Sequence, residues 1–220
     1  MSVLAILLEL LLVVYTRFGG DAANFPLSIG ILLLTNLFYI IAAYFAGKRH
    51  VPVSLILAVG IVFRLTLWPM TPALSADVYR YRWEGMVQAH GYNPYLVRPT
   101  DEALAPLRDA TYSLIPAPAF KAGYGPLLEM VQRGNFLFAS ALTRDPFGQA
   151  HWFKLPAALF DLAAMAALLA LLRARGLPLS ALAWYAWSPM AVVEFWGNGH
   201  NDALVVFLVT VALWAAAKER

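Results

Sequence analysis

Residues 75–96 read SADVYRYRWEGMVQAHGYNPYL and follow at once on the apolar LTLWPM. Ser75 is a suitable N-cap and Gly91 a suitable stop, so a helix is predicted over 76–90 with Asp77 in its first turn. There the helix dipole favours an ionised carboxylate, a few residues beyond a membrane surface and placed to meet a molecule held in the outer leaflet. The same position also suits a plain helix-start residue. Two further groups have chemistry-bearing side chains. Arg64, Asp161 and Glu194 lie inside apolar runs, each about 6 to 10 Å below the same boundary by helix rise. An ionised group at such depth costs about 3 kcal/mol unless paired or facing a wet cavity, so pairing of Arg64 with Asp161 or Glu194 is expected. Such a pair can equally be a helix-holding contact. The turn GNGHND, 197–202, then adds His200, Asn201 and Asp202 at that surface, as hydrogen-bonding groups or as an ordinary polar turn between spans.

Other chemistries find no support. Cysteine is absent, which removes thiols, disulfides and Cys metal sites. His50, His90, His151 and His200 lack metal-ligand spacing, the Gly spacing is not that of a phosphate loop, and no nucleophile elbow is present. A net charge of +3 with dispersed basic residues gives no nucleic-acid patch.

The elements that must position these groups follow from composition. The chain is 61% hydrophobic and 13% charged, with mean hydropathy +0.65, which is integral-membrane usage. Apolar runs at about 2–17, 27–46, 52–69, 155–172, 178–196 and 203–217 have the length of spans, so the expected fold is all-α, with about six transmembrane helices in one membrane domain, 1–220. The first run has neither a basic start nor a small-residue cleavage site and reads as a retained helix. Lys48/Arg49, Arg173/Arg175 and Lys218/Arg220 fall at alternate helix ends, which puts both termini in the cytoplasm and 70–154 outside as one large loop. On a 3.6-residue period the 76–90 helix gathers Tyr79, Trp83, Met86 and Val87 opposite Asp77, Arg80, Tyr81, Glu84 and Gln88, the pattern of a helix lying flat at the interface. A further helix starts at Pro126. Its Glu129 and Arg133, four apart, suggest an ion pair on the outer surface rather than a seventh span.

Four blocks in this order, SADVYRYRWEGMVQAHGYNPYL, YGPLLEMV, FKLPAALFDLAAMAALLALLRARG and WSPMAVVEFWGNGHNDALV, resemble the N-terminal half of GT-C glycosyltransferases. They are most similar to bacterial polyprenyl-phosphate-mannose-dependent mannosyltransferases, and more distantly to the catalytic subunit of GPI mannosyltransferase I. The resemblance runs over about 54–215, with the first two spans, 1–50, outside it. It implies that Asp77 is the catalytic carboxylate, engaging an acceptor hydroxyl while a hexose, mannose by the resemblance, leaves its polyprenyl phosphate with inversion. Candidate substrate-binding residues are Arg80, Tyr81, Arg82, Asn93, Tyr124, His200, Asn201 and Asp202. Of these, Arg80 or Arg82 is assigned to the departing phosphate by position alone.

This chain has Ala76-Asp77 where many relatives carry two acidic residues, so no metal pair is expected and metal dependence is open. It has Tyr124-Gly125-Pro126 in place of Tyr-Pro-Pro. Relatives also continue for several spans beyond Lys218-Glu219-Arg220, so the chain reads as a fragment, as one part of a split protein completed by a second membrane chain, or as a remnant without activity; the partners expected of an active form are the lipid-linked donor and a glycan or lipid acceptor. Rival readings are a non-catalytic membrane subunit that binds a lipid-linked sugar or a partner chain, and a small transporter.

Overall fold

The structure, a computed structural model, describes residues 2–18, 24–72 and 75–218. Glu219 and Arg220, the latter used in the orientation argument, lie outside them. Every regular element among the described residues is helical. Helices α1 (Ser2–Phe18), α2 (Phe25–Lys48) and α3 (Val53–Leu67) pack together. A cap follows, built from α4 (Asp77–Ala89), a long loop with two 3-10 turns, α5 (Pro126–Leu142) and α6 (Pro146–Trp152). Then α7 (Leu155–Ala174) pairs along its length with the last helix, α10 (Asp202–Lys218). Proline occupies an opening position of α2, α5, α6 and α7, where its missing N–H breaks no bond.

Two helical runs, Phe25–Lys48 and Pro146–Ala174, are long and apolar enough to cross a bilayer. The count of six does not follow from the structure. Among the other apolar runs, α3 has only 15 residues, and the stretch expected as one span over 178–196 is broken. It consists of a 3-10 turn (Leu179–Leu182), α8 (Ala183–Ala186), α9 (Pro189–Ala191) and a π-turn (Val192–Gly197). Pro189 is the cause of the main break. The residue before a proline is pushed out of the helical region, and Ser188 sits at φ −62°, ψ 117°.

Two apolar cores result. One joins α1, α2, α3, α7 and the broken segment around Leu8, Ile56, Phe63, Leu67, Trp187 and Val193. The other lies inside the cap, around Val78, Trp83, Val87, Leu104 and Phe136. The second core corrects the picture of α4 lying flat with one wet face: Val78 and residues 80–87 are buried, Arg80, Arg82 and Glu84 included, and Tyr79 is half-buried. Sequence periodicity misleads here because the loop after α4 folds back and encloses its polar side too. Two close approaches fix the layout. A Cβ on Gly85 would stand 2.4 Å from the Gln132 carbonyl where α4 crosses α5, and one on Gly60 would stand 2.7 Å from the Ala186 carbonyl.

Candidate active site

Asp77 opens α4, and Ser75 Oγ accepts from its backbone N–H at 3.1 Å. Its carboxylate is 37% exposed and faces the turn that follows the π-turn. That turn is built by backbone bonds of unusual span. Asn198 N–H reaches Val193 O at 2.9 Å and His200 N–H reaches Glu194 O at 2.9 Å. Gly199 takes φ +74°, a left-handed conformation suited to glycine, and packs on Lys154. A π-turn widens the helix by one residue per turn. Here the widened turn carries Glu194 and its own exit loop into one cluster.

Within the cluster, His200 Nδ1 lies 2.7 Å from Glu194 Oε2, and its Nε2 lies 3.8 Å from Asp77 Oδ2. The first distance is a charge-assisted hydrogen bond; the second is too long for one. With Nδ1 bonded to Glu194, Nε2 carries a proton only in the imidazolium form. The Glu194 hydrogen bond raises the His200 pKa above its ordinary value, burial acts against it, and the charges of Glu194, Asp77 and Asp202 add to the rise. Two buried side-chain nitrogens here have no hydrogen-bond partner: His200 Nε2 and Asn201 Nδ2. Behind them the Tyr81 hydroxyl lies beside Tyr124 and the backbone of Asn201, and burial pushes its pKa upward. The Tyr81 and Tyr124 rings meet edge to face at 5.3 Å. A cleft of about 330 Å³ adjoins the cluster, with Glu194, His200 and Asp202 at one end and Trp184, Phe195 and Val206 among its apolar walls.

Asp77, Tyr81, Tyr124, His200, Asn201 and Asp202 therefore come together. Arg80 and Arg82 do not serve as expected. Arg80 bonds Glu84 at 2.6 Å and the carbonyls of Ala117 and Phe120. Arg82 bonds Asp109, Thr111 and Gln149. Both guanidinium groups are committed to holding the cap, because a buried cation must find partners there. Asn93 lines a separate cavity. The polar trio also divides. Arg64 pairs with Asp161 through two bonds of 2.6 and 3.1 Å, with both side chains fully buried. The Tyr185 hydroxyl and Trp196 Nε1 complete the Asp161 carboxylate, and Arg64 also donates to the Gly60 and Ala186 carbonyls. Glu194 turns instead to His200.

The burial of Glu129 escaped the sequence. The expected Glu129–Arg133 pair does not form among the described residues. Glu129 is buried and accepts from Gln88 Nε2 at 2.7 Å, beside the carboxyl of Glu84. No group of three metal-ligating side chains gathers among the described residues.

Residues 4–220 match the family model described as Alpha-(1->6)-mannopyranosyltransferase, N-terminal domain. The chain belongs to this family. The match reaches back through α1 and α2, which the motif blocks had left outside the resemblance, so the mannosyltransferase domain takes in all the membrane-type helices. The family's activity requires a sugar donor and an acceptor. No curated protein and no solved structure matches the mannosyltransferase domain.

Proposed function

We propose that this domain transfers mannose from a polyprenyl-phosphate carrier to the hydroxyl of a glycan or lipid acceptor at the outer membrane face, as GT-C enzymes do. Six spans, two of them short or broken, would put both termini in the cytoplasm and the cap outside. The observation that carries the reading is the cluster itself: a half-exposed carboxylate at a helix start, faced across 3.8 Å by a histidine that Glu194 holds in place.

In this reading Asp77 takes the proton of the acceptor hydroxyl as its oxygen attacks the anomeric carbon, and the bond from that carbon to the phosphate oxygen breaks on the opposite face, with inversion. The departing phosphate gains negative charge. His200 Nε2 and Asn201 Nδ2 receive its oxygens, which explains two buried donors left without partners, each such group costing about 1 to 3 kcal/mol. The apolar cleft beside Glu194 takes the first isoprene units, so that the sugar stands at the cap while the lipid stays in the bilayer. Rows of exposed apolar side chains on α2 and α10, such as Leu33, Leu37, Val205 and Leu213, suit lipid or the spans of a further chain.

The test uses the purified chain in liposomes, offered polyprenyl-phosphate mannose or a nucleotide-activated mannose with a mannoside acceptor. Transfer from the lipid donor alone, with the anomeric configuration inverted in the product, is expected. Transfer from the nucleotide sugar, or retention, refutes the proposed chemistry.

A further inference from the structure

A second cavity, of about 410 Å³, opens between the C-terminal end of α4, the turn at Asn93 and Pro94, and the start of α5. It shares no lining residue with the cleft at Glu194 and His200. Its wall alternates rings with hydrogen-bonding groups: Tyr92 and Tyr95, each 37% exposed, stand with Gln88, Asn93, Glu129 and Arg133. Half-exposed aromatic faces take the C–H faces of sugar rings, while amide and carboxyl groups bond hydroxyls in both directions.

The wall is already fixed. Asn93 Oδ1 accepts from Tyr95 N–H at 3.0 Å, the Tyr95 hydroxyl donates to Tyr124 O at 2.7 Å, and Ala122 N–H reaches Pro94 O at 3.1 Å. Such a preformed site loses little entropy on binding. Glu129, only 3% exposed, lines the cavity; its Oε1 is buried with no donor bonded to it. With Glu84 beside it, Glu129 keeps its proton to about pH 8, so its carboxyl can both donate to and accept from a ligand's hydroxyls.

The cavity is also tied to the active site. Tyr95 bonds Tyr124, Tyr124 packs on Tyr81, and Tyr81 lies beside the backbone of Asn201 next to His200. Eleven residues of α4 separate Asp77 from Gln88, about 16 Å along the helix, the reach of a short oligosaccharide rather than of one sugar.

We propose that this cavity is a carbohydrate subsite that holds the acceptor glycan several sugars behind the hydroxyl engaged by Asp77. The assignment rests on the reading under Proposed function for the word acceptor, and its test does not need turnover. Binding of neutral α-(1->6)-linked manno-oligosaccharides of one to four sugars is measured by titration calorimetry and saturation-transfer NMR on the whole chain in nanodiscs. The wild type is compared with Met130→Trp, whose side chain stands at the cavity at 70% exposure, and with Arg133→Ala.

Affinity is expected to rise about tenfold or more from one sugar to four. Met130→Trp should abolish that rise, and Arg133→Ala should weaken tetrasaccharide binding several-fold. No rise with length, or the same rise in both variants, overturns the subsite. Competition by polyprenyl-phosphate mannose for the tetrasaccharide overturns its assignment to the acceptor. Transfer assays run in parallel separate the two ideas. Tetrasaccharide bound at the cavity without transfer leaves the subsite and sinks the enzyme reading, while transfer with no effect of either variant on tetrasaccharide binding does the reverse.

Discussion

Replacing Glu194 by Gln keeps the shape of the group that holds His200 and removes its charge. In the wild type the 2.7 Å contact from His200 Nδ1 is a hydrogen bond to a carboxylate, of a kind worth about 1.5 to 3 kcal/mol against about 1 for a neutral acceptor. The difference is roughly 0.5 to 2 kcal/mol, and losing it lowers the His200 pKa. The sign is fixed by the form that works. Nε2–H exists only in the imidazolium, so the donated bond to phosphate is present below the folded pKa and is lost as pH rises through it. Wild-type transfer should therefore show an alkaline fall at a pH above the ordinary histidine range, because Glu194 raises that pKa. In Glu194→Gln the fall should move toward acid. The assay is initial transfer rate between pH 5 and 9 at saturating donor. An alkaline limb that does not move in the variant refutes the pairing of Glu194 with a catalytically used His200.

Arg64→Met should destabilise the chain by about 3 to 5 kcal/mol by leaving Asp161 buried and unpaired, with Arg64→Met/Asp161→Leu recovering most of that loss; unfolding in mixed micelles measures both. Gly85→Ala should cost about 1 to 3 kcal/mol, because the new methyl meets the Gln132 carbonyl at 2.4 Å and must part α4 from α5; protease sensitivity of the cap reports it. Burial and the neighbouring Glu84 push the Glu129 pKa up to about 8. The folded state then holds a proton that the unfolded state releases, so cap stability falls as pH rises from about 4.5 to 8, and Glu129→Gln should flatten that slope in amide exchange.

The resemblance, rather than position, singles out Asp77, since a first-turn carboxylate also suits a plain helix start; the structure sets it 3.8 Å from His200. The sequence also picked out Glu194 and His200, but as members of different groups. Their pairing depends on the π-turn, which the apolar run EFWG conceals, since nothing in its composition separates a widened turn from an ordinary one. Proline at 189 marked the break only in retrospect, because a proline inside a span is tolerated as often as it interrupts. Arg80 and Arg82 were misjudged for a different reason. Helical periodicity says which side chains share a face, but not that residues 109–120 return to cover the polar one. That Arg64 would pair with a carboxylate at its own depth was predictable, but depth does not separate Asp161 from Glu194, and the structure chooses Asp161.

The most direct measurement is the initial rate of mannose transfer from polyprenyl-phosphate mannose by Asp77→Asn beside the wild type, in liposomes and with folding matched by thermal unfolding. A carboxylate that takes the acceptor's proton predicts a loss of about 100-fold or more with the variant still folded. A folded Asp77→Asn that transfers within tenfold of the wild-type rate contradicts it.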